Sequence, residues 1–347
     1  MLKKIKNKVE KELKAYIGQS VNRSYGINYI SPLLYRSIKD FASRTGKRVR
    51  PTLFVIGYLG FAKKEAPGLY KSAIALELFH DFMLIHDDII DKSETRRGKP
   101  AMHAMLNKWL RGHKDAKFNG QDLAIVIGDI LYAMAIDAFL SVKENMRHKE
   151  AALKKLIEAG VYTGSGEFIE LIYGLKNIDK IARKDIFRVY DLKTANYTFA
   201  SPLGMGAILA GAGTKEIKTL AGYGTYLGRA FQIKDDILGT FGQENKIGKS
   251  NLTDLQEGKR TILIWQAYQK ASQKDKTTIK KLLSKKYVSR ADLSLVREVI
   301  IRSGALEYAK KEVARLISKA ERLLGKSRMH PSYKNLLDVY TRELLNL

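Results

Sequence analysis

This sequence predicts an all-α protein, one large helical bundle spanning residues 1–347. Three observations carry that prediction. Only 6 prolines occur in 347 residues, so long helices can run unbroken. No long run alternates apolar with polar residues, which removes the strand signature. No Pro/Ser-rich linker or composition shift marks a boundary, although the length alone would allow two domains.

Leu2, Ile5, Val9, Leu13 and Ile17 share one stripe of a lysine-rich segment, so residues 2–17 form an amphipathic helix. Such a helix can lie on a membrane or cap a bundle; the bundle is the preferred reading, and residues 1–30 are an N-terminal extension. A second helix covers 32–45 and stops at Gly46. In GKRVRP (46–51), Pro51 falls in the first turn of the next helix, where its missing N–H is harmless. A long apolar helix covers 69–92, and residues 93–101 and 112–120 read as loops. Helices follow over 121–143, 149–175, 184–210 and 215–241. A polar loop spans 242–258, then helices cover 259–271, 275–284, 290–303, 304–325 and 332–346. Gly222, Gly224 and Gly228 weaken the 215–241 helix, which points to another helix pressed close against it.

The absence of cysteine excludes disulfides, thiolate catalysis and cysteine-ligated metals. The first segment, MLKKIKNKVEKELKAYIG, lacks the apolar stretch of a secretory signal, and charges are expected to interrupt the other apolar stretches before bilayer length. A cytoplasmic protein without stable membrane insertion is therefore expected. The net charge of +26 would suit nucleic acid, an anionic membrane or anionic small substrates. A solvated lysine-rich surface suits it as well, and the scatter of KK and KxxK pairs matches helix exteriors.

Two acidic clusters stand out against that basic background: Asp87-Asp88-Ile89-Ile90-Asp91 and Asp235-Asp236-Ile237-Leu238-Gly239. Each lies in an apolar run, where adjacent carboxylates are costly without a compensating cation. Asp87 and Asp91 are i and i+4 and project from one helix face. That pairing suits Mg²⁺, which binds through one or two carboxylates plus substrate phosphate oxygens.

His80 lies about two turns before Asp87 on the same helix; a satisfied core histidine is its ordinary reading. Arg96 and Arg97 leave that helix, either as surface residues or as bidentate phosphate ligands beside a bound cation. Lys47, Arg48 and Arg50 make GKRVRP either a plain basic loop or a metal-free anion pocket. Phe231 and Gln232 stand one turn before Asp235. The following loop carries Gly248-Lys249-Ser250 and then Asp254 through Lys259. GQENKIGKS mimics a phosphate-binding loop, but it has five residues between glycines where that loop has four, and it follows a helix. Lys193 and Thr194 sit in YDLKTANYTF, polar groups in an apolar helix.

GKRVRP, ELFHDFMLIHDDIIDKSETRRGKP, KTANYTF, FQIKDDILG and GKSNLTDLQEGKRTIL occur in that order. Over roughly residues 30–270 they resemble the trans-isoprenyl diphosphate synthases, which make farnesyl and geranylgeranyl diphosphates. The resemblance implies an all-α bundle around a central cavity, usually a homodimer, joining isopentenyl diphosphate head-to-tail to an allylic diphosphate. It also implies the roles. Lys47, Arg50, His80 and Arg97 would hold isopentenyl diphosphate, with Phe231 against its tail. Arg96, Lys193, Thr194, Gln232, Lys249 and Lys259 would serve the allylic diphosphate. Asp87, Asp91 and Asp235 would bind Mg²⁺ directly, and Asp88 and Asp236 through water. The departing pyrophosphate would take the final proton, which fits a site with no evident protein base.

One departure is Gly239, where an aspartate commonly ends the second motif; Gln243 is another, after Phe-Gly. Asp235 would then anchor a cation on that side with water-borne help from Asp236 or Glu244. A class I terpene cyclase shares the fold and the first motif. Its second motif needs Ser/Thr and Glu where Gly239 and Gln243 stand, and it has no use for GKRVRP. A nucleic-acid-binding helical protein would explain the charge but not the acidic clusters; none is expected as a partner. Phe79 and Phe82 are i and i+3 and lie about 12 and 7.5 Å of rise before Asp87. The resemblance implies that these two residues, with Met83, limit chain length, and it favours geranylgeranyl diphosphate over farnesyl diphosphate. Ordinary core packing is the competing role for the two rings.

Overall fold

The computed structural model describes residues 1–243 and 251–345; Lys249, the Gly248–Ser250 segment and Glu244 lie outside the described residues. The chain is helical almost throughout and forms two compact units, residues 1–153 with 205–211 and residues 154–204 with 212–347.

In the first unit, α1 (Leu2–Ala15) buries Ile5, Val9 and Leu13, the stripe read from the sequence. It packs on α5 and α6. A π-helical turn (Tyr16–Ser20) takes over the last two residues of the helix expected over 2–17, and two short helices, α2 (Val21–Tyr25) and α3 (Ile27–Ile30), follow it. Helix α4 (Pro32–Ala42) is capped by Ser31, whose hydroxyl accepts from Leu34 N–H. Helix α5 (Val49–Leu59) starts after Arg48, which sits in the left-handed region at φ 47°. Helix α6 (Leu69–Ile90) ends at Asp91, close to the expected boundary. Its start needs Gly68: φ is 82°, and a Cβ there would lie 2.4 Å from the Ser141 carbonyl oxygen.

The segment read as a loop over 93–101 holds a two-residue hairpin, β1 (Thr95–Arg96) paired antiparallel with β2 (Lys99–Pro100). Helix α7 (Met102–Leu110) was not anticipated; its nine residues are too few for a clear periodic signal. Helix α8 (Gly120–Leu140) opens on an Asn119–Asp122 capping box and packs along α6. One expectation fails here. By length and composition α8 could cross a membrane, with a mean hydropathy of 2.0. Asp129 and Asp137 lie along it, 44% of that stretch is buried inside the fold, and Asp137 accepts from the Tyr16 hydroxyl at 2.9 Å.

Helix α9 (Met146–Gly174) carries the chain into the second unit. The expected helix over 184–210 is three pieces: α10 (Arg183–Val189), an eleven-residue π-helical stretch (Tyr190–Ala200) and α11 (Ser201–Leu209). Helix α12 (Thr214–Phe241) packs against the π stretch, and its glycines make the contact. A Cβ at Gly228 would lie 2.2 Å from Ala195 Cα, and one at Gly224 would lie 2.5 Å from Ala200 Cα. The close approach inferred from those glycines is thus present. The short α13 (Thr253–Gln256) interrupts the expected polar loop. Helices α14 (Ile262–Lys270), α15 (Gln273–Leu283), α16 (Arg290–Arg302), α17 (Ala305–Gly325) and α18 (Pro331–Leu345) follow within one to three residues of expectation.

Candidate active site

The first unit carries the first acidic cluster at the C-terminus of α6. Asp87 and Asp91 are half-buried, while Asp88 is fully buried. One carboxylate oxygen from each of Asp87 and Asp91 lies within 4.8 Å of the other, close enough for one small cation to bridge. The donor set is all carboxylate oxygen, which fits a hard divalent ion. Asp88 is turned away from that pair. It accepts from Arg96 Nε at 2.8 Å and more closely from Arg96 Nη2, which also lies 3.7 Å from Asp87. Burial outweighs this arginine and holds the Asp88 carboxyl up at about 6.

Arg97 follows in the left-handed region, at φ 54°. Its Nη2 donates to Glu77 at 3.1 Å and its Nη1 lies 3.3 Å from Asp81. Gly46 packs against it, since a Cβ at Gly46 would come 3.6 Å from Arg97 Cζ. The basic motif divides. Lys47 is exposed and Arg50 half-buried, but Arg48 is 3% exposed. Arg48 donates to Glu10 at 2.6 Å and to Glu77 at 2.5 Å, so it belongs to the frame and not to an open anion pocket. His80 is held well below the usual histidine range by burial and by Arg50, Arg97, Arg96 and Arg48, and so is neutral at pH 7.

Phe79 and Phe82 meet edge-on, with ring centroids 5.6 Å apart. Tyr132 of α8, absent from the sequence candidates, completes a triad at 5.5 Å from Phe79 and 5.3 Å from Phe82. The only prior hint was the apolar character of its helix. Met83, beside them on α6, is half-buried.

In the second unit the π stretch and α12 share a chain of hydrogen bonds. Thr194 Oγ1 donates to Gln232 Oε1 at 2.6 Å, and Gln232 Nε2 donates to Asp236 at 2.9 Å. Asp236 also accepts from the Tyr190 hydroxyl, which in turn accepts from Ile262 N–H at 2.9 Å. Burial lifts Asp236 to about 8, against its bonds from Tyr190 and Gln232 and aided by Asp254 and Asp235. Asp235 is exposed. Phe231 lies against Phe199 with the rings tilted 59° and their centroids 5.4 Å apart. Lys193 is held by Glu170 at 2.7 Å and more closely by Glu167, two acids of α9 that sequence reasoning passed over. They are i and i+3 in GEFIE, a spacing that could have flagged them. Gly166 lets α9 reach the π stretch: a Cβ there would lie 2.9 Å from Lys193 N.

Lys259 pairs with Glu257 at 2.6 Å and lies 4.0 Å from Asp254. Asp254 also explains Gly239. A Cβ at Gly239 would lie 2.7 Å from Asp254 Oδ2, so the space an aspartate would need is already filled by another carboxylate.

The polyprenyl synthetase family model matches residues 31–300. A geranylfarnesyl diphosphate synthase of Aeropyrum pernix is 34% identical over 307 residues, covering 87% of this chain and 88% of that protein. A short chain isoprenyl diphosphate synthase of Methanocaldococcus jannaschii is 30% identical over 308 residues, covering 89% of this chain and 84% of that protein. Among solved structures, a geranylgeranyl pyrophosphate synthase from Corynebacterium glutamicum, complexed with isoprenyl diphosphate and magnesium, superimposes with a TM-score of 0.90 at 26% identity, covering 100% of this chain and 99% of that one. With its motifs, its fold and these relatives in agreement, the chain belongs to the polyprenyl synthetase family and is a prenyltransferase.

Proposed function

We propose that this enzyme condenses isopentenyl diphosphate head-to-tail with dimethylallyl, geranyl and farnesyl diphosphates, with geranylgeranyl diphosphate as its main product. Residues 1–347 are read as one polyprenyl synthetase domain. The observation that carries the reading is the pair of accessible carboxylates, Asp87 and Asp91, on the helix whose exit supplies Arg96 and Arg97.

Asp87 and Asp91, and Asp235 with Asp254 nearby, are the residues that would hold Mg²⁺, which when bound neutralises charge growing on the leaving diphosphate. Arg96 in the first unit, and Lys193 and Lys259 in the second, are the fixed cations assigned to the allylic diphosphate. Asp88 sets Arg96, and Glu167 with Glu170 sets Lys193, so each cation is aimed before substrate arrives. Thr194 spends its proton on Gln232, which leaves its oxygen lone pairs for the allylic carbocation. The new carbon–carbon bond joins the allylic C1, as its bond to the pyrophosphate oxygen breaks, to the terminal methylene C4 of isopentenyl diphosphate; the cation left at C3 is quenched by loss of a proton from C2, and the departing pyrophosphate carries that proton off. In the second unit, Ile157, Val161, Phe168, Leu171, Ile172 and Leu175 are all exposed. An apolar stripe of that size along α9 and the residue just past its end favours a homodimer that covers it.

Lys47→Ala and Arg50→Ala should each raise the KM for isopentenyl diphosphate tenfold or more, roughly the loss of one charge-assisted contact of about 1.5–3 kcal/mol. The allylic KM should move little. Steady-state kinetics with each substrate varied in turn decides this, and an effect confined to the allylic KM would reverse the assignment of the two pockets.

Product length tests the aromatic triad. Phe82→Ala should lengthen the products, and the double change with Phe79→Ala should lengthen them further. Tyr132→Ala should add to either, because its ring closes the group from α8. Chromatography of labelled products reads this out. An unchanged distribution in an active, folded Phe79→Ala/Phe82→Ala enzyme would leave the rings as core packing only.

A further inference from the structure

Glu77 and Asp81 are i and i+4 on α6, so they project from one face, and they are 2% and 0% exposed. Two carboxylates in one dry place repel each other and need cations. Glu77 is well supplied, accepting from Arg48 Nη1 at 2.5 Å and Arg97 Nη2 at 3.1 Å. Asp81 is not: neither of its oxygens has a hydrogen-bond partner, and its nearest cation is Arg97 Nη1 at 3.3 Å, in ion-pair contact only. One guanidinium is therefore shared between two buried acids, and Asp81 has the weaker hold.

We propose that Asp81 is a positioning residue of the isopentenyl diphosphate pocket: with Glu77 it sets the Arg97 guanidinium, and it takes up a proton from solvent when a diphosphate claims that guanidinium. The inference rests on reading Arg97 as a ligand of that diphosphate. Arg97 stands at φ 54°, a backbone that costs a non-glycine residue roughly 1–2 kcal/mol, so its surroundings impose its place. The other charged groups around Asp81 are fixed as well. Arg44 and Arg48 face it from the ends of the α4–α5 segment, and Glu10 of α1 reaches the cluster through Arg48. His80, the preceding residue, is neutral, and from α8 the neighbouring Tyr132 presents a ring to Phe79 and Phe82. Burial first, and Glu77 next, outweigh the three arginines and push the Asp81 carboxyl up to about 8. An arriving diphosphate competes for Arg97 and adds like charge, and both effects favour the neutral acid further.

The sign follows. Below about pH 7 Asp81 already holds its proton, and binding needs none; near pH 9 it is ionised, binding must take up a proton, and affinity falls as pH rises. Isothermal titration of isopentenyl diphosphate into the full chain with magnesium and no allylic partner, in two buffers of different ionisation enthalpy, counts those protons. Wild-type uptake should climb from near zero at pH 7 toward one at pH 9, with Kd weakening roughly tenfold. Asp81→Asn should lose both the added proton and the pH slope while still binding at pH 7. Asp81→Ala, which offers Arg97 no oxygen, should bind more weakly at both pH values. A wild-type proton count that stays flat between pH 7 and 9, or an Asp81→Asn enzyme that keeps the climb, would overturn the proposal. Arg97→Ala separates the two readings. If it leaves Kd unchanged, the pocket assignment fails too; if it weakens binding while Asp81→Asn keeps the slope, only the proposal fails.

Discussion

Asp87→Asn or Asp91→Asn should lower turnover about a thousandfold and leave the enzyme folded. Metal-assisted ionisation is worth several kcal/mol, and about 4 kcal/mol corresponds to roughly 10³ in rate. The fold should not suffer, because both side chains are half-buried and asparagine keeps their shape. Removing either charge relieves its opposition to the α6 dipole, which offsets what Asp87→Asn gives up in its 3.7 Å contact with Arg96. Initial rates at saturating magnesium, paired with a urea midpoint, check both halves. Near-wild-type turnover in either variant would remove these residues from the metal assignment.

The second large effect concerns stability. Arg48→Ala should cost about 3–5 kcal/mol, because it strips the nearer cation from buried Glu77 and frees Glu10. Arg48 also occupies the left-handed region, so Arg48→Gly should recover roughly 1 kcal/mol relative to alanine at this position. Urea unfolding of the three proteins measures the order wild type, glycine, alanine. A midpoint for the alanine variant within error of wild type would show that Glu77 is satisfied by Arg97 alone.

The sequence made the long elements legible and hid the ones that depend on distant partners. Helices α6 and α12 were found with ends correct to one or two residues, because long apolar runs carrying aspartates leave few other arrangements. The π stretch over Tyr190–Ala200 was not legible, since its period differs from an α-helix by less than one residue per turn. Its consequence, the Tyr190–Asp236 bond, joins residues 46 apart. Burial within the acidic clusters was also hidden: spacing put Asp87 and Asp91 on one face, but only packing shows Asp88 and Asp236 turned inward. Arg48 looked like its neighbours Lys47 and Arg50 in a basic triplet; Glu10, 38 positions earlier, decides otherwise. Asp81 stands four residues after Glu77, a spacing that puts both on one helix face, but nothing in that spacing tells that the face is buried.

The depth at which α1 is seated bears on how this enzyme can be handled. The family match begins at residue 31, which invites expression of a shortened chain from that point. Such a chain would uncover the apolar faces of α5 and α6 that Ile5, Val9 and Leu13 now shield, and Arg48 would keep one acid where it had two. Shortened preparations should therefore be poorly soluble even with every catalytic letter intact. A safer place for protease sites or added peptide is the tip at Tyr29, 95% exposed, where the chain passes from α3 to α4 and little is packed against it.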